Sequence, residues 1–259
     1  MTSWIDVGRE AASRRIAVER RDGAGPPVVW FGGFRSDMRA TKAEALDGWA
    51  AGAGRAFLRF DYSGHGESGG AFADGTISRW TEDALAVLDA GGSGKPILVG
   101  SSMGAWVAVL ATLQLRQRAP ERAPAGLILI APAIDFTERL MWPAMDLAER
   151  RAVEEEGVYL RPSLYSDEPY PITRGLIEDG RRHLLFDGPV ETGCPVHILQ
   201  GMQDPDVPWR HALDFVERLP ADDVQVTLIK DGDHRLSRPE DLDRLVRAVE
   251  VMSEIVGHV

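Results

Sequence analysis

The sequence contains a single cysteine, Cys194, and no run of eighteen apolar residues. One cysteine excludes an internal disulfide, and its place just before Pro195 and an apolar segment favours a partly buried structural thiol over a nucleophile. The first residues show neither the charged nor the apolar region of a signal peptide, and no segment is long enough to span a membrane. From these absences we expect a soluble protein of the reducing cytoplasm.

Basic residues are also scarce relative to acidic ones. The chain has 29 Lys and Arg against 40 Asp and Glu, a formal charge of −11, and no basic run. A net-negative surface offers no favourable steering to nucleic acid or to an anionic membrane, so neither is an expected partner. No His or Cys cluster has metal-site spacing, and the glycine-rich residues 64–69 and 91–95 fail the requirements of nucleotide-binding loops. We therefore expect no metal and no cofactor.

Short apolar, β-branched runs alternate with longer segments of helical spacing. The predicted strands are Arg15 to Glu19, Val28 to Phe31, Ala56 to Phe60, Ile97 to Val99, Leu127 to Ile130, Val196 to Leu199 and Val224 to Ile229. The predicted helices are Lys42 to Ala51, Ile77 to Ala90, Ala105 to Arg118, Arg210 to Leu219 and Pro239 to Ile255. This alternation predicts an α/β fold with a mostly parallel sheet, covered by helices on both faces and binding ligands beyond the carboxyl ends of its strands.

One segment breaks the alternation. Residues 133–192 show no convincing strand, and a helical run over residues 138–156 is followed by a stretch that contains Pro162, Pro169 and Pro171. We predict one domain over residues 1–259, with residues 133–192 inserted in it as a helical lid. Apolar residues of the lid, among them Trp142, Met145 and Tyr165, are candidates for a substrate pocket; the alternative is that they only pack the lid onto the sheet.

Gly100-Ser101-Ser102-Met103-Gly104 lies between a predicted strand and a predicted helix. The pattern G-x-S-x-G in this context indicates a sharp turn that exposes the middle serine, so Ser102 is the candidate nucleophile. Residues 66–70 also match the pattern, but neither a strand nor a helix flanks them, and Ser68 is interpreted as a loop serine. Ser101 occupies the second position of the motif, which points away from the tip of the turn.

A serine nucleophile needs a base and a group that orients the base. His234 follows the last predicted strand and is the candidate base; His65, in a glycine-rich loop, is the rival that could line the site without catalysing. Asp204, after the strand that ends at Leu199, is the candidate acid, with Asp206 and Asp135 as alternatives.

The oxyanion of the tetrahedral intermediate needs two backbone N–H donors. Met103, the residue after the nucleophile, would supply the first. Phe34, in the glycine turn that follows the strand Val28 to Phe31, would supply the second.

These motifs together resemble the α/β-hydrolase family. They are Gly33-Phe34, Asp61-Tyr62-Ser63-Gly64-His65-Gly66-Glu67-Ser68, Gly100 to Gly104, Asp204 with Val207-Pro208, and Gly232-Asp233-His234. Ser36-Asp37-Met38 and Val207-Pro208-Trp209 are further similar to a subgroup that includes a mitochondrial hydrolase of acyl glucuronides and S-palmitoyl cysteine, of which this chain looks like a bacterial-type relative without a transit peptide. Gly32 and Gln200 depart from the family, since each stands where many members have histidine.

The resemblance implies an eight-stranded sheet with a lid between the sixth and seventh strands, and a catalytic set of Ser102, Asp204 and His234. We expect a serine hydrolase that cleaves small-molecule acyl esters or thioesters through an acyl-enzyme, as a monomer or homodimer. Two other functions stay open. The fold can serve as a non-catalytic ligand-binding module, and the same residues can act in a peptidase or in a hydrolase of carbon–carbon bonds.

Overall fold

A single eight-stranded sheet organises the protein. The computed structural model describes residues 1–92, 94–162 and 169–257. Numbered along the chain, the strands are β1 (Ser3–Val7), β2 (Arg14–Arg21), β3 (Ala24–Phe31), β4 (Arg55–Phe60), β5 (Ile97–Ser101), β6 (Gly126–Ile130), β7 (Val158–Arg161), β8 (Tyr170–Thr173), β9 (Val196–Gly201) and β10 (Val224–Ile229). The sheet has the order β1-β2-β4-β3-β5-β6-β9-β10, and β7 pairs with β8 outside it.

Six neighbouring strands of the sheet, from β4 to β10 in that order, are parallel, whereas β1 and β2 are antiparallel additions at one edge. Parallel strands end at the same edge of a sheet, so the turns after β3, β5, β9 and β10 lie along one rim. The predicted mostly parallel, eight-stranded sheet is confirmed. Within this sheet, β1 alone has no counterpart among the predicted strands, because most of its side chains are exposed and its apolar pattern is weak.

The helices are α1 (Thr41–Ala53), α2 (Ile77–Ala90), α3 (Met103–Arg118), α4 (Trp142–Ala144), α5 (Leu147–Arg151), α6 (Arg174–Gly180), α7 (Trp209–Val216) and α8 (Pro239–Gly257). Helices α1 and α8 cover one face of the sheet, and α2, α3 and α7 cover the other. Strand residues alternate between the two layers because successive side chains point to opposite faces. In β3, for example, Val28 and Trp30 pack under α1 and α8, whereas Val29 and Phe31 face α3.

The segment between β6 and β9 differs from its prediction in two respects. The predicted continuous helix is broken into π-helical segments (Thr137–Met141 and Ala152–Glu156) and the short helices α4 and α5, with Asp146 capping α5. The segment also contains the hairpin of β7 and β8, which the sequence did not reveal. These strands have four residues each, and Pro171 lies in one of them, so neither carries the apolar alternation that indicates a strand.

No helix within the described ranges combines the length and the apolar character needed to cross a lipid bilayer.

Candidate active site

Ser102 lies on a strained turn between β5 and α3. Its backbone has φ 55° and ψ −120°, a conformation that residues other than glycine rarely adopt. The flanking glycines are required by close packing: a Cβ on Gly100 would lie 2.6 Å from the Cα of Ala105, and one on Gly104 would lie 2.2 Å from the carbonyl oxygen of Phe31. The strand, turn and helix that the G-x-S-x-G pattern indicates are therefore present around this serine.

The second match to the pattern has a different environment. The Ser68 hydroxyl donates a hydrogen bond to the carbonyl oxygen of Asp61 at 2.6 Å and accepts one from the Ala17 N–H at 2.8 Å. The first bond closes the loop after β4, and the second joins this loop to β2. Ser68 is thus a structural loop residue, as its sequence context predicts.

His234 and Asp204 form a hydrogen-bonded pair on the rim of the sheet. The ring Nδ1 of His234 lies 2.8 Å from Oδ2 of Asp204, whose side chain is completely buried. The other oxygen, Oδ1, accepts from the backbone N–H groups of Asp206 and Val207, both at 2.8 Å. The carboxylate is therefore held from both sides, with one oxygen aimed at the imidazole. This arrangement keeps Nδ1 protonated and leaves Nε2 as the basic atom.

Gln200 supports this pair and is the residue whose role the sequence did not reveal. Its fully buried amide donates to the carbonyl oxygens of Gly201 at 2.9 Å and Val207 at 3.0 Å, and lies 3.4 Å from Oδ2 of Asp204. The amide thus ties the end of β9 to the turn that carries the acid. The available signal was a polar residue at the end of an apolar strand, in a position where many family members have histidine.

Asp135, an alternative acid, serves the segment between β6 and β9 instead. Its carboxylate accepts the N–H groups of Leu185 at 2.9 Å and Phe186 at 3.0 Å, which joins the start of that segment to its end. Burial raises the pKa of Asp135 to about 6, although the two N–H groups favour the charged form. Asp206, the other alternative, is exposed and contacts Asp204 through its own backbone N–H.

Ser102 and the His234–Asp204 pair lie at the same rim of the sheet, and this shared position is the geometric relation between them. Ser102 follows β5, and the pair follows β9 and β10 at the same rim. Among the residues that the structure describes, the Ser102 hydroxyl forms no hydrogen bond. Hydrogen bonds of this kind are often long before substrate binds, so the approach of Nε2 to this hydroxyl stays a prediction.

Of the two predicted oxyanion donors, Met103 adjoins the serine in the chain, and Phe34 lies in a turn that is close to the serine in space. Met103 begins α3, and a Cβ placed on Gly33 would lie 3.5 Å from the Cβ of Ser102, so the turn that contains Phe34 abuts the nucleophile. Within the described residues, the N–H groups of Phe34 and Met103 have no acceptor. Two unpaired donors beside a half-buried serine are what an oxyanion site requires, and their role remains a prediction.

The loop over residues 61–68 braces this turn. The Asp61 carboxylate accepts from the N–H groups of Met38 at 2.6 Å and Glu67 at 2.8 Å. His65 Nε2 lies 3.1 Å from the N–H of Arg35, the residue after Phe34, and its Nδ1 lies 3.2 Å from the carbonyl oxygen of Ser63. Since Arg35 has the unfavourable φ of 59°, the ring helps to hold a strained backbone. His65 thus lies beside the turn, away from the proposed proton-transfer step.

Burial lowers the pKa of His65 to about 4, from 6.5, so the ring is neutral at pH 7 and accepts through Nε2. The unfolded chain takes up this proton below about pH 6.5 and the folded protein only near pH 4, so His65 makes the free energy of unfolding fall as the pH is lowered between these values.

His65→Gln is expected to remove this dependence, because glutamine does not titrate. The free energy of unfolding of each protein is measured with denaturant. The difference between wild type and variant should be smaller at pH 4.5 than at pH 7, by up to about 3 kcal/mol. An equal loss of stability in both proteins over this range would contradict the assignment.

The three predicted pocket residues have different outcomes. Met145 is buried in the core, and the half-buried Trp142 ring is flanked by the guanidinium groups of Arg150 and Arg181 at 5.5 and 5.2 Å from its centroid. Tyr165 lies outside the described residues. The contacts of the first two are those of packing residues, and a role in binding substrate stays a prediction.

Asp204, Asp206 and His234 also place possible metal-ligand atoms within 4.8 Å of one another. The hydrogen bond between His234 Nδ1 and Asp204 Oδ2 places a proton between two of these atoms. The hydrogen bond between His234 and Asp204 therefore explains why these side chains lie close together.

Comparison with known proteins decides the family. A protein-family model described as "Alpha/beta hydrolase family" matches residues 20–248. The chain belongs to this family. A mouse protein named palmitoyl-protein thioesterase ABHD10, mitochondrial, is 34% identical over 95% of this chain and 84% of its own length. The resemblance inferred from the motifs, including the subgroup, is confirmed.

Two solved structures of high similarity support the assignment of this α/β-hydrolase. A protein from Agrobacterium vitis S4, assigned as a hydrolase, has 52% identity and a TM-score of 0.94, covering 97% of this chain and 98% of its own. Mouse alpha/beta hydrolase domain-containing protein 10 has 32% identity and a TM-score of 0.86, covering 98% and 99%.

The expected cytoplasmic location is wrong on this evidence. The curated relatives from mouse, cow and human, which match nearly the whole chain, are all named as mitochondrial proteins. A single cysteine excludes an internal disulfide, but it cannot distinguish one reducing compartment from another.

Proposed function

We propose that this α/β-hydrolase cleaves acyl thioesters and esters through a Ser102–His234–Asp204 triad. The observation that carries the proposal is the buried Asp204 carboxylate bonded to Nδ1 of His234 at the rim where Ser102 occupies its strained turn. The names of the mouse and human relatives, palmitoyl-protein thioesterase, support an S-acyl substrate class.

In the proposed mechanism, Nε2 of His234 takes the proton of Ser102 as the hydroxyl oxygen attacks the acyl carbonyl. Asp204 stabilises the imidazolium that forms, and the N–H groups of Phe34 and Met103 stabilise the oxyanion. The imidazolium then protonates the leaving thiolate or alkoxide, and an acyl-enzyme remains. Water, deprotonated by the same Nε2, cleaves that ester and regenerates the serine.

The segment over residues 133–192 belongs to the proposal as a lid within a single domain. Its described part leaves the sheet after β6, at the rim where the proposed triad lies. The Tyr170 ring at the start of β8 lies 5.8 Å from the Phe34 ring, and this contact with the proposed oxyanion turn supports a lid over the rim. An acyl chain would enter between this segment and the rim.

The substrate class is tested with two matched panels, p-nitrophenyl esters and S-acyl thioesters, each with acyl chains from acetyl to palmitoyl. We expect turnover of both, with a burst of the first product for the substrates whose acylation is faster than deacylation. Turnover of neither panel, together with failure to react with a fluorophosphonate, would favour a ligand-binding module. Turnover of peptide substrates alone would indicate a peptidase.

A further inference from the structure

Several contacts besides the Asp204 pair shape the turn over residues 231–238, which carries His234, and they include an ion pair between Arg238 and Asp231 at 2.7 Å. The Leu236 N–H donates to Oδ1 of Asp233 at 2.9 Å, and the Ser237 hydroxyl donates to the carbonyl oxygen of Arg235 at 3.0 Å. Leu236 has φ 44°, an unfavourable conformation for a branched side chain, and its side chain is buried under α1. The backbone of the turn is therefore strained and requires support from neighbouring elements.

Lys42, in the first turn of α1, supplies such support from across the fold. Its ammonium group donates to the carbonyl oxygen of Arg235, the residue that follows the proposed base. Helix α1 itself follows the turn that contains Phe34. The Lys42 side chain thus joins α1, which follows the turn of the proposed oxyanion donor Phe34, to the turn that carries the proposed base His234.

The charges around Lys42 favour this contact. Asp233 and Arg235 face it from the turn, and Asp241 faces it from α8. Asp241 is itself paired with Arg238 at 2.8 Å and Arg244 at 3.0 Å, so Asp233 is the carboxylate left to attract the ammonium group. The Lys42 side chain is half-buried, and the residues that it contacts in the turn, Asp233 and Arg235, are exposed.

We propose that Lys42 is a positioning residue of this hydrolase: its ammonium group, bonded to the Arg235 carbonyl and attracted by Asp233, holds the turn that places His234 against Ser102. This inference rests on the proposed function. A displacement of about 1 Å between reacting groups can reduce a rate by up to about a hundredfold, so a tether on the adjacent peptide is expected to affect kcat. Because Lys42 is proposed to act on the turn of the base and not on the substrate, KM is expected to stay unchanged.

The contact between Lys42 and the Arg235 carbonyl also predicts an alkaline limb, a decline of kcat at high pH. Burial lowers the pKa of Lys42 to about 8, although Asp233 and Asp241 oppose the shift. Loss of the proton removes the attraction to Asp233 and converts a charge-assisted hydrogen bond into a weaker neutral one. The kcat of the wild type is therefore expected to decline as the pH rises through about 8.

The test uses the full chain and a p-nitrophenyl ester, with kcat and KM measured from about pH 6 to about pH 10. Lys42→Met is expected to lower kcat about tenfold at neutral pH, without an alkaline limb and without a change in KM. Lys42→Arg is expected to retain most of the activity and to extend the plateau to higher pH, because a guanidinium group stays protonated. Lys230→Met, an exposed lysine near the same turn, is the matched control and should behave as the wild type.

Two further readouts separate positioning from stability. The low-field proton resonance of the His234–Asp204 hydrogen bond should broaden in Lys42→Met and be restored in Lys42→Arg, at a temperature where thermal unfolding shows each variant to be folded. A Lys42→Met protein with the wild-type kcat, alkaline limb and proton resonance would overturn the inference, even if its melting temperature falls. A wild type that is inactive towards every ester would instead overturn the proposed function, and the proton resonance would still report on Lys42.

Discussion

Ser102→Ala is expected to abolish hydrolysis and to prevent labelling by a fluorophosphonate. The change removes the only atom that would form the acyl-enzyme, and the loss in kcat should be at least about 10⁴-fold, as for other serine nucleophiles that act as a unit with their base. The fold should persist, because the hydroxyl forms no hydrogen bond within the described residues and alanine introduces no new contact. Mass spectrometry of the labelled wild type should place the adduct on the peptide that contains Ser102.

Ser68→Ala is the matched control for this experiment, since Ser68 occupies the second G-x-S-x-G match. It is expected to retain labelling and turnover while losing about 1–2 kcal/mol of stability, because one hydrogen bond within the loop and one between the loop and β2 disappear. Labelling that survives in Ser102→Ala and disappears in Ser68→Ala would refute the assignment of the nucleophile.

Asp204→Asn has the second largest expected effect. The substitution keeps the shape of the side chain and the acceptor for the N–H groups of Asp206 and Val207, but it places an amide where a carboxylate accepts from His234 Nδ1. The imidazole then loses its orienting acceptor and takes the wrong tautomer. We expect kcat to fall about 10³- to 10⁴-fold with little change in KM or in the melting temperature.

Asp206→Asn and Asp135→Asn are the controls, because both residues were alternatives for the acid. Asp206 is exposed and Asp135 binds the N–H groups of Leu185 and Phe186, so each variant should keep most of the hydrolytic rate. A loss in Asp135→Asn as large as that in Asp204→Asn would show that the acid is assigned to the wrong strand end.

The parts of the fold that the sequence predicts are those in which local pattern and global packing agree. The strands β3, β5, β6 and β9 are short apolar runs because helices cover both faces of the sheet. The hairpin β7–β8 and the edge strand β1 were missed since their stability comes from pairing with a neighbour rather than from burial of their own side chains.

The residues of the candidate site likewise include some that the sequence predicts and others that it does not. Ser102, Asp204 and His234 were identifiable because each lies in a turn directly after an apolar strand, and such turns meet at one rim. Lys42 and the bracing role of His65 were not, because each acts through a backbone group distant in sequence, that of Arg235 and that of Arg35 respectively. Gln200 was not, because only the conformation of the turn after β9 brings the Val207 carbonyl oxygen to its amide.

The sequence alone determined the class of fold, the family, and the turns on which the chemistry-bearing residues lie, because strand periodicity and glycine-dependent turns are local properties of the chain. The tertiary structure decided which carboxylate meets the imidazole. Asp135 and Asp204 both follow strands of the parallel sheet, and only the path of the backbone after β6 and β9 directs one to the amides of Leu185 and Phe186 and the other to His234. Hydrogen-bond partners far apart in the chain are set by packing, so no local pattern encodes them.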